Sequence, residues 1–210
     1  MSLGTFVEGT TKIYTPRDMH PSEISLDKLQ VGEVSQNGRG GKTASLNVNG
    51  KPLRLSLRNC TTPFEVSSYD KVSDRKSLDL RADSHTIAFM NRLDTELKKH
   101  AGKVGCAESG FTSLLKEQRE GYAPLLRQKI TITPAGKSPC KFFEAGTKRR
   151  LTDDEVAELP WRDLEMNVMC KITSLWVNAG RWGASATPEA ILCKRCDACP
   201  FDDADLETWD

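Results

Sequence analysis

The sequence predicts a mainly β domain, a small closed or partly closed barrel of short strands, and three observations predict it. An Asn49-Gly50 turn joins two alternating apolar arms across residues 41–59. A second, longer alternating stretch starts at Leu164. Only one segment, residues 84–101, carries a helical apolar stripe of any length. A two-sheet sandwich is the competing arrangement.

The first hairpin is GKTASLNVNGKPLRLSLRN, residues 41–59. Asn-Gly suits a type I′ turn, which needs positive φ at both central residues. That turn sets Val48 opposite Lys51, Leu46 opposite Leu53 and Ala44 opposite Leu55. One face is then Ala44, Leu46, Leu53, Leu55 and Leu57, a core face. The other carries Ser45 opposite Arg54, with Arg58 further along the same strand. Pro52 removes one ladder donor beside the turn, where the loss is tolerated.

After CTTPFEVSSYD comes a short strand, KSLDLRA, and then a helix. Ser84 is its expected N-cap, with Ile87, Met90, Leu93, Leu97 and Ala101 as the inward stripe and Gly102 as the stop. Residues 103–125 read as a loop with a short helix around Phe111, Leu114 and Leu115. LRQKITITP is a strand with Ile130 and Ile132 on one side, and KSPCKFFEAGTKRR is a polar, basic connection. Thr152 and Glu155 form a capping box for a short helix ended by Pro160.

Along the last long strand Leu164, Met166, Val168, Cys170 and Ile172 alternate inward, after which Leu175 and Val177 continue on odd numbers. One extra residue near Thr173-Ser174, a β-bulge, accounts for the change of phase. Trp176 then points away from the core. NAGRWG (178–183), with Trp182 on it, turns the chain into ASATPEAIL. Hairpins of short strands around one inserted helix predict an OB fold, a five-stranded Greek-key barrel with short extra helices and a disordered acidic C-terminal tail. The expected organisation is an extension over 1–24, the barrel over 25–192, and a Cys-containing linker and tail over 193–210.

Composition narrows the function. The chain of 210 residues is long enough for one elaborated domain, and no stretch approaches a membrane span. The N-terminus lacks the pattern of a secretory signal, and seven cysteines are an odd number, so reduced thiols in an intracellular protein are expected. The formal net charge of +1 hides an asymmetry: setting aside Asp202, Asp203, Asp205, Glu207 and Asp210 leaves 30 bases against 24 acids. A basic body with an acidic tail suits a polyanion ligand. Phe201, Leu206 and Trp209 within that tail are more than solubility requires.

The chemistry is that of binding. There is no phosphate-binding glycine loop, nucleophile elbow or His-rich motif, so no enzyme and no cofactor are expected. Single strands are held by cations along the backbone and by aromatic faces that stack bases. The candidates are Arg54, Arg58, Phe64, Tyr69 and Lys71 on and after the first hairpin. Lys171, Trp176, Arg181 and Trp182 on the last hairpin join them. Core packing is the competing reading for Phe64. Cys193, Cys196 and Cys199 are spaced C-x2-C-x2-C, but a closed zinc site needs four ligands and the fourth is not evident, so plain reduced cysteines are the default.

NGKPLRLSLRNCTTPFEVSSYD followed by KSLDLRA and FMNRLDTELKKHA resembles the T-seven-type phage family of single-stranded DNA-binding proteins. The similarity is closest to its homologues in large eukaryotic DNA viruses and some protists. LEMNVMCKITSLWVNAGRWGASATPEAIL is similar to the closing hairpin of that family, and the aromatic-tipped acidic tail is the third shared element. The resemblance covers roughly residues 25–210 as a pattern. Glu65 stands where that family has glycine, Pro188-Glu189 where it has a polar amide, and the cysteine triplet has no counterpart. The resemblance implies sequence-independent coating of single-stranded DNA in replication, recombination and repair. It places Arg54, Arg58, Trp176 and Trp182 on or near the DNA. It further implies a homodimer, a tail anchored by Trp209 that contacts DNA polymerase and helicase or primase, and a location at sites of replication, in the nucleus or a viral replication site. An RNA-binding OB module, or a protein-docking factor that binds no nucleic acid, are the alternatives.

Overall fold

In the computed structural model, which describes residues 20–36, 41–68, 74–133 and 139–194, the strands are β1 (Leu29–Gln36), β2 (Lys42–Val48), β3 (Lys51–Thr61), β4 (Ser67–Ser68), β5 (Arg75–Arg81), β6 (Phe111–Thr112), β7 (Leu115–Lys116), β8 (Leu125–Thr131), β9 (Lys141–Glu144), β10 (Glu165–Asn178) and β11 (Arg181–Lys194). The helices are α1 (Ser84–Lys98), α2 (Ala101–Val104) and α3 (Asp153–Ala157). The strands are hydrogen-bonded into one sheet in which β3 pairs β5, β5 pairs β8, β10 pairs β3, and β11 pairs β10. β8 runs alongside β11, so the order β3-β5-β8-β11-β10 returns to β3. That is the five-stranded Greek-key order of an OB barrel, with α1 inserted between β5 and β8.

The first hairpin keeps its expected register. Asn49 and Gly50 have φ of 53° and 72°, and Val48 faces Lys51. Beyond the tip the two arms part, and β10 pairs with both, first with β3 and then with β2. The switch coincides with a bulge between Ile172 and Ser174, at the position where the alternation changes phase. Leu164, Met166, Val168, Cys170, Ile172 and Leu175 all lie in the core, beside Leu46, Leu53, Leu55 and Leu57. A second irregularity lies on β3: Asn59, at φ 50°, donates its N–H to Asn167 Oδ1 at 2.8 Å. The extra residue lets Leu57 and Cys60 both face inward while Arg58 stays out.

Elsewhere the elements differ from the sequence reading. The N-cap of α1 is Asp83, whose carboxylate accepts from Thr86 N–H at 2.7 Å; Ser84 is the first helical residue. Asp can fill this role as well as Ser. The helix ends at Lys98, Gly102 falls inside α2, and Gly105, at φ 68°, makes the left-handed stop. Of the short helix expected around Phe111, Leu114 and Leu115 only a 3-10 turn, Glu108–Gly110, is present, capped by Phe111; the rest is the strands β6 and β7. Part of the connection 137–150 is β9, which runs parallel to β11 and buries Phe142 edge-on to Trp161. β1, unrecognised in the sequence, pairs the outer edge of β2. The capping box of α3 is present as expected.

Candidate nucleic-acid interface

On the outer face of β3 and β10, Arg54 and Lys171 are direct cross-strand partners. Between them sits Glu189 of β11. The register of β11 slips by one residue between Ala190, opposite Met169, and Pro188, opposite Cys170, so Glu189 is the bulge's extra residue. Arg54 Nε lies 2.8 Å from Glu189 Oε2, and Lys171 Nζ lies 3.3 Å from Oε1. Burial raises the Glu189 pKa, but hydrogen bonds and charge from Arg54 and Lys171 outweigh it and hold the carboxyl below its usual range. Two of the three candidate cations here are therefore already engaged by one carboxylate, which balances one of their two charges. Arg58 is half-buried, with its Nε shielded from solvent and without a hydrogen-bond partner among the described residues.

The two tryptophans separate. Trp176 is half-buried on the outer face, opposite Gly183, and its indole N–H donates to the Ala184 carbonyl at 3.2 Å. A Cβ at Gly183 would collide with the Thr112 carbonyl oxygen of β6 and stand 3.2 Å from Trp176 Cζ2, so glycine there admits the neighbouring strand and the ring together. Trp182 is 0% exposed, contrary to its expected place on the DNA path. It packs edge-on to Phe111, with ring centroids 4.8 Å apart, and its indole donates to the Ala107 carbonyl at 2.9 Å. The reason is register: the two-residue turn Ala179-Gly180 sets Trp182 opposite Val177 on the core side. The same pairing was available from the sequence, since Val177 already belonged to the inward set. Arg181, beside it, is exposed at the hairpin tip.

Phe64 is exposed rather than in the core. Cys193, expected in a linker, is the penultimate residue of β11 and fully buried. Tyr69, Lys71, Cys196, Cys199 and the tail residues Phe201 to Asp210 lie outside the described residues. Among the described residues, no group of three His, Cys, Asp or Glu side chains is placed to hold a metal, and no helix is long and apolar enough to cross a membrane.

A second basic surface lies on two other strands. On the outer face of β5 and β8, Arg75 stands opposite Thr131, Ser77 opposite Lys129, Asp79 opposite Arg127 and Arg81 opposite Leu125. Diagonal neighbours on such a pair are about 7–8 Å apart, within reach of long side chains. Arg127 closes two hydrogen bonds on Asp79, at 2.8 and 3.0 Å, and Lys116 of β7 approaches the same carboxylate at 3.7 Å. Lys129 has no carboxylate of its own among the described residues. Partial burial lowers its pKa, and the charges of Arg75 and Arg127 push it the same way. Asp79 is thus shared by Arg127 and Lys116, Arg81 approaches Asp163, and Lys129 faces the charges of Arg75 and Arg127. The sequence reading found both strands but passed over this face, because only the β5–β8 pairing brings Arg75 beside Lys129.

No protein-family model matches this chain, and no curated protein does. Among solved structures it is similar to the single-stranded DNA-binding protein from bacteriophage Enc34. The C-terminally truncated form matches at TM-score 0.46 and 13% identity, over 84% of this chain and 100% of that one. The form in complex with ssDNA matches at TM-score 0.47 and 13% identity, over 84% and 99%. Likeness at this distance says nothing of what this chain binds.

Proposed function

We propose that this protein binds single-stranded DNA without sequence preference and catalyses no reaction. The outer face of β5 and β8 holds the phosphates. The observation that carries this reading is Lys129, crowded by Arg75 and Arg127 with no carboxylate among the described residues to relieve it. A bound phosphate removes that repulsion, so ligand and face stabilise each other. Fluorescence anisotropy of a labelled oligo(dT) titrated with the full chain tests it. Tight binding at low salt that weakens steeply as salt rises supports the reading, and no binding at low salt overturns it. Equal or tighter binding of oligo(rU) would redirect it to RNA, where contacts to the 2′-hydroxyl decide.

The finer roles belong to the same proposal and rest on charge pattern and family resemblance. The acidic segment with Asp202, Asp203, Asp205, Glu207 and Asp210 competes with DNA for the basic face. Phe201, Leu206 and Trp209 give a DNA polymerase and a helicase or primase an apolar grip, which places the protein in replication, recombination and repair, as a homodimer. Removing residues 200–210 should tighten oligo(dT) binding and abolish partner capture; unchanged affinity would remove the competing tail from the scheme.

A further inference from the structure

Phe64 and Tyr122 are the exposed large hydrophobic side chains among the described residues, at 53% and 73% exposure. They are far apart in sequence, yet the fold brings their loops to one end of one strand. Arg81 closes β5, and it is paired with Thr61 on one side and with Leu125 on the other. Phe64 lies three residues beyond Thr61, and Tyr122 three residues before Leu125. The Phe64 turn is tied to the same end by two hydrogen bonds: Asp163 N–H donates to the Thr62 carbonyl at 2.6 Å, and Arg162 N–H to Glu65 Oε1 at 3.2 Å. Arg81 reaches Asp163 at 3.8 Å.

Three features distinguish this end from scattered surface aromatics. Each aromatic is raised on a constrained turn: Tyr122 N–H donates to the Arg119 carbonyl next to Gly121 at φ 87°, and Glu65 anchors the Phe64 turn. The cation at that strand end stays available, because Arg81 and Asp163 are 56% and 68% exposed, and an ion pair that open at 3.8 Å is weak. Finally, Arg81 is the last member of the row Arg75, Lys129, Arg127, Arg81 that runs down the outer face of β5 and β8.

The geometry points to a base-stacking clamp at the end of that row: Phe64 and Tyr122 each take a nucleobase, and Arg81 takes the phosphate between them. This rests on the single-strand reading above and adds the residues that recognise bases rather than backbone. Stacking needs the π-face only, so the clamp is tolerant of sequence. It gives this surface a means to prefer single strands over duplex, whose bases are already stacked.

The test uses the full chain with two labelled oligomers of equal length, oligo(dT) and an abasic deoxyribose-phosphate strand. Phe64→Ala and Tyr122→Ala should each weaken oligo(dT) binding about five-fold or more and leave the abasic strand's affinity unchanged. Tyr122→Trp should keep oligo(dT) affinity and gain a fluorescence that the oligomer quenches. No loss on oligo(dT), or equal losses on both strands, would overturn the clamp while the wild-type chain still bound DNA. Failure of the wild-type chain to bind either strand would instead bring down the single-strand reading and the clamp with it.

Discussion

Two outer faces of the barrel carry cations, and they differ in how those cations are matched. Across β3, β10 and β11, Arg54 and Lys171 converge on Glu189, a residue that a bulge places where both can reach it. Across β5 and β8, Asp79 is shared by Arg127 and Lys116, and Lys129 stands among arginines. A count of basic residues alone does not tell how the two faces meet a polyanion. What matters for a polyanion is the charge left after neighbours have been satisfied, and cross-strand geometry fixes that. In this sense the first face is closed, both of its cross-strand cations being engaged by Glu189, and the second is open at Lys129, which has no carboxylate among the described residues.

The largest expected effect lies in the core between these faces. Trp182→Ala removes a fully buried indole and its bond to Ala107, and should cost about 3–5 kcal/mol of stability in denaturant melts. A variant of unchanged stability that lost only DNA binding would return Trp182 to the surface and make the β10–β11 tip a third face. Next comes the open face: the double substitution Arg75→Ala, Lys129→Ala should weaken oligo(dT) binding about ten-fold or more, given about 1.5–3 kcal/mol for a hydrogen bond to a charged group. On the closed face Arg54→Ala should change affinity by no more than about two-fold, since that guanidinium is already engaged. A loss on Arg54→Ala as large as that of the double variant would erase the contrast between the faces.

Glu189 sharpens the comparison. Glu189→Gln frees Arg54 and Lys171, and should raise affinity for oligo(dT) about two-fold or more while steepening its salt dependence. The same carboxylate sets a smaller, pH-dependent effect on stability. Its pKa in the fold is below its ordinary value despite partial burial, because Arg54 and Lys171 favour the ionised form. A depressed carboxylate contributes stability above the unfolded-chain value, about 4.3, and loses it as pH falls through the folded one. With all three side chains partly exposed, the contribution should be about 1 kcal/mol or less. Wild type should therefore exceed Glu189→Gln in stability at pH 7, and the margin should fade as pH falls below the unfolded-chain value and through the lower folded one. A margin that stayed constant with pH would mean the triad contributes nothing through its charge.

The legibility of the molecule follows the range of the interactions involved. Asn49-Gly50 fixed its own register because turn and strands are contiguous, and the phase change at Thr173-Ser174 showed where β10 bulges. The capping box Thr152–Glu155 was readable for the same reason. The β5–β8 face was not: Arg75 and Lys129 meet only after α1 and the loops behind it have closed, and no local pattern records that pairing. Glu189 was hidden similarly, since a bulge between Met169 and Cys170 decides where it points. Trp182 was a misjudged parity rather than missing information, because Val177 opposite it already marked the inward side.

The most direct measurement is the salt dependence of oligo(dT) binding, for the wild-type chain and for the double variant Arg75→Ala, Lys129→Ala. Each phosphate neutralised on a single strand contributes about −0.7 to the slope of log K against log salt. If the β5–β8 face holds the backbone, the double variant's slope should be shallower by about 1.4, two phosphate contacts' worth. Equal slopes, with affinity lost at neither salt, would show that the strand lies elsewhere and would contradict the assignment of this face.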